Sequence, residues 1–375
     1  MKSKYLFVVS DFYPGGCQRE SHELDIVLHK KGIKTEILCV SNLNDHEHFP
    51  DTYFEEHKSL GTPITFLNEI ISDPSKEPKN ALSRLFTKKE NIFLDNYFNQ
   101  FTEVIFFGEY TYKRLQKNIS NAYSKQIKMF VVCSRFQGKK YREFNKKNNY
   151  LFIDGFEDGH EIEYEYEGFK QYEHILLPLS LNPTLQYKKW EYRDEKIKKI
   201  GIFTRLSKAK PLDPFLYSFS ILQDRLPEIE LHIYGSGTPE EAEYDRYIRH
   251  LNLKNVFFRG HQENLKQTIN DDNLNLVWFQ GYNQRPAGYA GLDVALTGTP
   301  QLFWDFFEGN NAHINDINTI YPHFKNINSF VNSTIDVLCD KELAEKISIT
   351  QFTDTFENRN METNCKVIEH LFSVK

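Results

Sequence analysis

Cysteine is scarce: five among 375 residues, Cys17, Cys39, Cys133, Cys339 and Cys365, with no Cys-x-x-Cys pair. That excludes a disulfide framework and a zinc ribbon, and is expected of thiols in a reducing compartment. No stretch approaches the roughly 18–20 apolar residues of a spanning helix. The apolar run near the N-terminus, Tyr5–Val9, is too short for a secretory leader. The expected location is therefore cytoplasmic. A surplus of positive charge is also missing. Lys and Arg number 46 against 52 Asp and Glu, a net charge of −6, which argues against a protein built to bind nucleic-acid backbones. Three familiar motifs are absent: the Gly-x4-Gly-Lys-Ser/Thr phosphate loop, Gly-x-Ser-x-Gly, and the Gly-x-Gly-x-x-Gly dinucleotide fingerprint. His46-Glu-His48 has no third ligand at a suitable spacing, so no metal centre is expected.

Aromatics are abundant: 31 Phe, 21 Tyr and 3 Trp. They fill cores and strands, and they also stack on sugar rings. The length predicts two domains. Residues 5–9 form an apolar run, Pro14-Gly15-Gly16 a turn, 19–31 a helix ended by Gly32, and 35–40 a second strand. This is the repeating unit of a parallel α/β sheet. Further strands are expected at 104–107 and 127–133, with helices around 88–101 and 112–124. Residues 182–199 are polar and aperiodic and predict a linker. A second series then begins: strand 200–204, helix 213–224 with Pro214 in its first turn, strand 229–234, helix 240–251, strands 256–258 and 274–279, helix 288–296 and strand 301–304, with a helical tail over 329–372. The expected domains are 1–182 and 198–355, with a last helix, 356–375, packing back on the first.

Charge is unevenly spread. Residues 112–147 hold eleven cations against one acid, Glu143. Residues 154–173 hold eight acids against one base, Lys170. Two solvated faces account for this pattern, and so does a basic surface that touches an anionic membrane.

Three features of the second half carry chemistry. Arg205 and Lys210 follow a strand on one loop, where cations can clamp a diphosphate as its charge grows. Gly235-Ser-Gly237 follows another strand and lets a ligand approach the backbone. Arg285-Pro-Ala-Gly288-Tyr289-Ala290-Gly291-Leu292-Asp293 leads into a short helix ended by Gly298. Its first turn offers N–H groups to a phosphate, and Asp293 can accept hydrogen bonds from ribose hydroxyls.

In order and spacing these elements resemble the C-terminal domain of the family 4 GT-B glycosyltransferases, the "glycosyl transferases group 1". Arg205 and Lys210 match that family's Arg and Lys. Leu226–Gly237 matches its strand ending in Gly-x-Gly, and Val256–Gly260 its Val-x-Phe-x-Gly strand. Asp293 falls on the second Glu of Glu-x7-Glu, and Gly298 and Pro300 on the closing Gly-x-Pro. The likeness is good over residues 198–305 and loose over 1–180.

The resemblance implies an α/β GT-B fold of two Rossmann-like domains facing each other across a cleft. It implies transfer from a nucleotide diphosphate sugar to a surface glycan, glycolipid or protein-linked glycan, without a metal and with retained configuration. Arg205 and Lys210 would hold the diphosphate and Asp293 the ribose. The amides of Tyr289, Ala290, Gly291 and Leu292 would contact phosphate, with Gly16 and Gly235 also on the donor. Gly15 would lie on the acceptor side; where the family often places a His after its mid-domain strand this sequence has Gly108-Glu109, and Glu109 reads as an acceptor-side carboxylate or as plain surface. No Asp-x-Asp occurs, so the metal-dependent sugar-transfer pattern has no support. Two departures stand out. The first Glu of the family pair is Arg285 here, which reverses the charge beside the donor sugar, and Asp293 is one methylene shorter than Glu. Arg285 is compatible with an acidic donor sugar, with an addition to the diphosphate clamp, or with a catalytically silent copy that binds a glycan or stabilises a partner enzyme. A sugar-nucleotide epimerase on a similar fold is the third reading.

Overall fold

The computed structural model describes residues 4–43, 51–70, 94–120, 128–131, 151–153, 174–182, 190–208, 210–240, 242–262, 264–282, 285–306 and 313–373. The chain divides into two compact units, one of residues 1–182 with 361–375, the other of residues 183–360.

The first unit is built on seven parallel strands: β1 (Lys4–Val9), β2 (Lys34–Cys39), β3 (Ile64–Phe66), β4 (Glu103–Phe107), β5 (Lys128–Val131), β6 (Leu151–Ile153) and β7 (His174–Leu176). Their order is β3-β2-β1-β4-β5-β6-β7. Strand β1 shows why the sequence reads as an unbroken apolar run. Leu6 and Val8 enter one core, with Phe98, Phe106 and Leu115. Tyr5, Phe7 and Val9 enter the other, with Leu24, Val27 and Leu28 of helix α1 (Gly16–Lys30). A parallel sheet covered on both faces leaves no side of the strand for polar residues. Helix α1 ends where Gly32 takes the left-handed φ of 73°. Helices α2 (Thr52–Ser59) and α3 (Glu109–Leu115) follow β2 and β4.

The second unit has six parallel strands: β8 (Lys198–Phe203), β9 (Ile229–Tyr234), β10 (Val256–Gly260), β11 (Leu276–Gly281), β12 (Gln301–Asp305) and β13 (His323–Phe324). Their order is β10-β9-β8-β11-β12-β13. Helices α4 (Asp213–Arg225), α5 (Tyr244–His250), α6 (Leu265–Asp272), α7 (Gly288–Thr297), α8 (Ile327–Cys339) and α9 (Lys341–Thr353) complete it. Trp278 sits in the core between β11, α4 and α8, ringed by Phe215 and Phe330. Its indole N–H finds a partner in Thr334 Oγ1 at 3.1 Å, which removes the cost of burying it. On the opposite face Phe279, Phe303 and Val294 form a second core.

The last helix, α10 (Met361–Ser373), joins the first unit. Met361, Cys365 and Ile368 lie in the same core as α1 and β1. Lys31 Nζ pairs with Glu369 at 2.9 Å, and Asn364 Nδ2 donates to Ser180 Oγ at 2.7 Å.

Several elements differ from the sequence expectation. The helix expected from 112 to 124 starts earlier, at Glu109, and ends at Leu115, followed by a single 3-10 turn over Gln116–Asn118. The one expected over 88–101 is helical at Asp95–Phe98, and residues 88–93 lie outside the described part. The one expected from 240 begins at Tyr244. Helices α2 and α6 and strands β3, β6, β7 and β13 were not foreseen. The His46/His48 pair, Cys133 and the acidic stretch 154–173 lie outside the described residues. The remaining cysteines form no disulfide.

Candidate functional site

In both sheets the strand order reverses direction at one place. From β8 the chain builds outward through β9 and β10, then returns to place β11 on the other side of β8. Loops that leave the C-terminal ends of β8 and β11 therefore diverge and open a crevice, the usual ligand position in open α/β sheets. The loop after β8 carries Arg205 and Lys210, both exposed. The loop after β11 carries Arg285 and runs into α7, which carries Asp293. The topology thus brings two of the sequence motifs to one edge of one sheet.

The third motif joins them for a reason the sequence reading did not contain. Thr204 N–H donates to the Tyr234 carbonyl at 2.9 Å, Leu206 N–H to the Ser236 carbonyl at 2.8 Å, and Gly235 N–H to the Gly260 carbonyl at 2.9 Å. The Gly235–Gly237 turn is stitched to the Arg205 loop. Gly235 has φ 154°, and a Cβ there would land on the Thr204 carbonyl oxygen. A Cβ at Gly237, φ 97°, would press on the Leu206 carbonyl. The two glycines serve this close backbone approach.

Tyr244 fixes the far end of the same loop. Its buried hydroxyl donates to the Lys210 carbonyl at 2.9 Å and accepts from Leu212 N–H at 3.0 Å. Gln280 Nε2 at the end of β11 donates to the Pro211 carbonyl at 2.8 Å. The loop is held from β9, α5 and β11, so its cations are presented on a stiff frame.

Helix α7 follows Ala287, which has no side chain able to cap it. Gly288 has φ 58°, and among the described residues nothing lies within 4 Å of where its Cβ would be. Residues Gly291–Thr297 are buried. Gln301 Nε2 donates to the Gly291 carbonyl, and Gln301 and Gln351 exchange two hydrogen bonds of 3.0 Å. Arg285 is only 5% exposed and Asp293 7%. Lys266 Nζ, on α6, reaches Asp293 Oδ1 at 3.6 Å. Sequence reading missed Lys266 because it missed α6. The signals were Asn264, whose side chain accepts from Gln267 N–H, and the Leu265/Ile269 spacing.

The first unit has its own reversal, between β1 and β4. The loop after β1 contains Gly15, and Gly16 opens α1. The loop after β4 contains Gly108, with φ 83°, and Glu109 opens α3. A Cβ at Gly108 would stand 3.2 Å from Cys17 Sγ, so the loop after β4 touches the first turn of α1. Asp11 organises the first of them. It accepts from Ser10 Oγ at 2.7 Å, Gln18 Nε2 at 2.6 Å and Tyr13 N–H at 3.2 Å.

One cluster imitates hydrolase chemistry. Ser21 Oγ stands 3.4 Å from His57 Nε2, and His57 Nδ1 stands 2.7 Å from Asp25 Oδ2. The three residues are 1%, 0% and 0% exposed. Ser21 Oγ already donates to the Gln18 carbonyl at 2.7 Å, and Asp25 accepts from Thr35 and Thr62 as well. No substrate reaches a serine held this way. The row is a buried polar network that ties α1 to β2 and α2. Burial lowers the pKa of neighbouring His22 to about 4. Among the described residues no group of three or more His, Cys, Asp or Glu side chains is arranged to hold a metal ion.

No protein-family model matches the chain, and no curated protein matches it by sequence. Solved structures do. Anabaena HepE in complex with UDP-glucose superposes with a TM-score of 0.67 at 13% identity, covering 99% of this chain and 100% of that one. TarM of S. aureus, as a point mutant in complex with fondaparinux, α-GlcNAc-glycerol and UDP, gives 0.61 at 14%, covering 100% of both. WaaG, a glycosyltransferase involved in lipopolysaccharide biosynthesis, gives 0.62 at 12%, covering 99% and 100%. The fold is GT-B. In this fold's terms, the first unit is the N-terminal Rossmann-like domain and the second the C-terminal one. Among the described residues no helix is long and apolar enough to cross a membrane.

Proposed function

We propose that the protein is a glycosyltransferase that moves a sugar from a nucleotide diphosphate sugar to a glycan, glycolipid or protein-linked glycan. The observation that carries the reading is the convergence of the Arg205/Lys210 loop and the Arg285–Asp293 segment at the strand reversal of the second sheet. The fold shared with HepE, which binds UDP-glucose, supports it.

In this reading Arg205 and Lys210 neutralise the diphosphate as it leaves, and Asp293 accepts hydrogen bonds from the ribose. The first turn of α7, at Tyr289 and Ala290, faces phosphate, and Arg285 faces the transferred sugar; Gly291 N–H instead donates to the Ala287 carbonyl at 3.1 Å and Leu292 lies past that turn, so these two amides leave the phosphate site. Gly16 borders the donor, with Gly15 and Glu109 toward the acceptor. The acceptor oxygen bonds to the anomeric carbon as the bond to the diphosphate breaks. The proton passes to the departing phosphate, with the configuration retained. The cations already supply positive charge where the leaving group forms, so the reaction is proposed to run without a metal; the scarce, unpaired cysteines support a cytoplasmic location. Contact with an anionic membrane through residues 112–147 belongs to the same proposal. Charge reversal at Lys139 and Lys140 should weaken liposome binding, and an unchanged binding curve counts against the contact.

The test is a panel of UDP-, GDP-, dTDP- and CMP-sugars with EDTA present, scored by thermal shift and nucleotide release together. A shift of several degrees with slow release for one donor supports the reading and names the sugar. No shift and no release from any donor would favour a silent binding protein, the reading to which the reversed charge at Arg285 points.

A further inference from the structure

Tyr110 is the most exposed large apolar side chain among the described residues, 61% in water. It stands in the first turn of α3, at the C-terminal edge of the first sheet. Arg114, one turn later, places its guanidinium carbon 5.8 Å from the centre of the Tyr110 ring, a cation–π contact that steadies both side chains. Arg114 Nη1 also donates to Ser41 Oγ, 2.9 Å away, just beyond β2. Ser41 N–H in turn donates to the Ser10 carbonyl at 2.9 Å, and Ser10 Oγ to Asp11 at 2.7 Å. One continuous polar row therefore runs from Tyr110 across the ends of β4, β2 and β1 to Asp11.

The chemistry of this row is specific. A flat aromatic face offers an apolar surface the size of a six-membered ring. A guanidinium beside it has five N–H donors in a fixed plane, of which Ser41 takes one among the described residues. Axial C–H bonds on one face of a pyranose pack against such a ring, while its hydroxyls point sideways to polar neighbours. Arg114 and Asp11 bring opposite charges to the row, which suits an uncharged, hydroxyl-rich ligand.

We propose that Tyr110 and Arg114 form a pyranose-binding platform. The inference deepens the transferase reading and rests on it for one point: that the sugar seated there belongs to the acceptor.

The test is saturation-transfer NMR with methyl α-D-glucopyranoside and methyl N-acetyl-β-D-glucosaminide on the full chain. Wild type and Tyr110→Phe, which keeps the ring, should show transfer to the pyranose ring protons. Tyr110→Ala should weaken the sugar about tenfold, and Arg114→Met severalfold, with an unchanged melting temperature because both side chains are exposed. The thermal shift given by UDP should be the same in wild type and Tyr110→Ala. No transfer in wild type, equal transfer in Tyr110→Ala, or loss of the UDP shift in that variant would each overturn the platform. Should no donor of the UDP-, GDP-, dTDP- and CMP-sugar panel shift the wild type while the Tyr110-dependent sugar signal holds, the platform stands and the transferase reading falls.

Discussion

The Lys266 ammonium lies 3.6 Å from the Asp293 carboxylate, so α6 holds the acidic group of α7 from the side. The Lys266 side chain is 40% exposed and that of Asp293 10%. With the lysine end open to water and the separation 3.6 Å, the pair is worth about 0.2–1 kcal/mol to the fold, so its importance lies in aiming the carboxylate. Asp293→Asn should weaken nucleotide-sugar binding about tenfold, and Lys266→Met two- to threefold, by titration calorimetry. The double variant should be no weaker than Asp293→Asn alone, because the lysine acts through the carboxylate. Additive losses would assign Lys266 a separate contact.

Removing either cation of the β8 loop should be felt in turnover. Lys210→Ala is expected to lower kcat about 10²-fold, the usual scale for loss of a preorganised charge at a leaving group. Arg205→Ala should behave alike. Both residues are exposed, so thermal melts should match wild type. A wild-type rate in either variant removes that residue from the clamp.

Gly235→Ala should damage the fold and the loop together. The new methyl group meets the Thr204 carbonyl, and relief requires breaking the stitches between the β8 and β9 loops. Gly288→Ala meets only a left-handed φ of 58° with open space around it, at a cost of about 1–2 kcal/mol. Urea melts should rank Gly235→Ala well below Gly288→Ala. The reverse order would show that the stitching matters little.

The buried Ser21–His57–Asp25 row should be chemically silent. A fluorophosphonate probe should leave Ser21 unlabelled in the native protein. His57→Phe strips a donor from the buried Asp25 carboxylate and should cost about 2–4 kcal/mol, while Ser21→Ala should cost about 1 kcal/mol. Labelling of Ser21 would mean that the row opens to solvent.

Acid should loosen the second unit through His323. The ring is fully buried and stacked on Phe303, with centroids 4.6 Å apart. Its Nδ1 donates to the Tyr321 carbonyl at 2.7 Å. Burial lowers its pKa to about 4, with Asp305 pulling the other way. Between about pH 4 and the unfolded value of 6.5 the unfolded chain binds the extra proton. Stability should therefore fall as pH drops through that window, by at most about 1.4 kcal/mol per pH unit. Urea melts at pH 7 and 5 should show this slope in wild type and a flatter one in His323→Gln. His22, with its pKa also lowered to about 4, accounts for part of what remains.

Strands with both faces buried were readable because they are unbroken apolar runs. The Tyr5–Val9 run and the 229–234, 274–279 and 301–304 strands appear close to where they were expected. Helix α7 was readable from Gly288 and Gly298, since a left-handed stop marks its end. Helix α6 was not, because only Leu265 and Ile269 carry its apolar face and its polar residues resemble a loop. Strand β13, two residues long, has no periodicity to detect. At the site, the spacing of Arg205, Lys210, Arg285 and Asp293 was visible in one dimension. Tyr244, Lys266 and the Tyr110–Arg114 pair were not. Each matters through a contact with a residue distant in sequence or through exposure, neither of which leaves a local pattern. The glycines of 235–237 were noticed for the right conformational freedom, but what approaches them is the protein's own backbone.

Helix α10 has a consequence for how the protein is made. Met361, Cys365 and Ile368 belong to a core whose other members lie before residue 182. A ribosome has synthesised every residue of the second unit before it supplies the last wall of the first. Folding in N-to-C order therefore leaves the first unit without α10 until the second unit has been made. The central segment can reach its native state while the opening segment still shows an apolar face, and that sheet with one helix missing is the stage at which chaperones and proteases would meet the nascent chain.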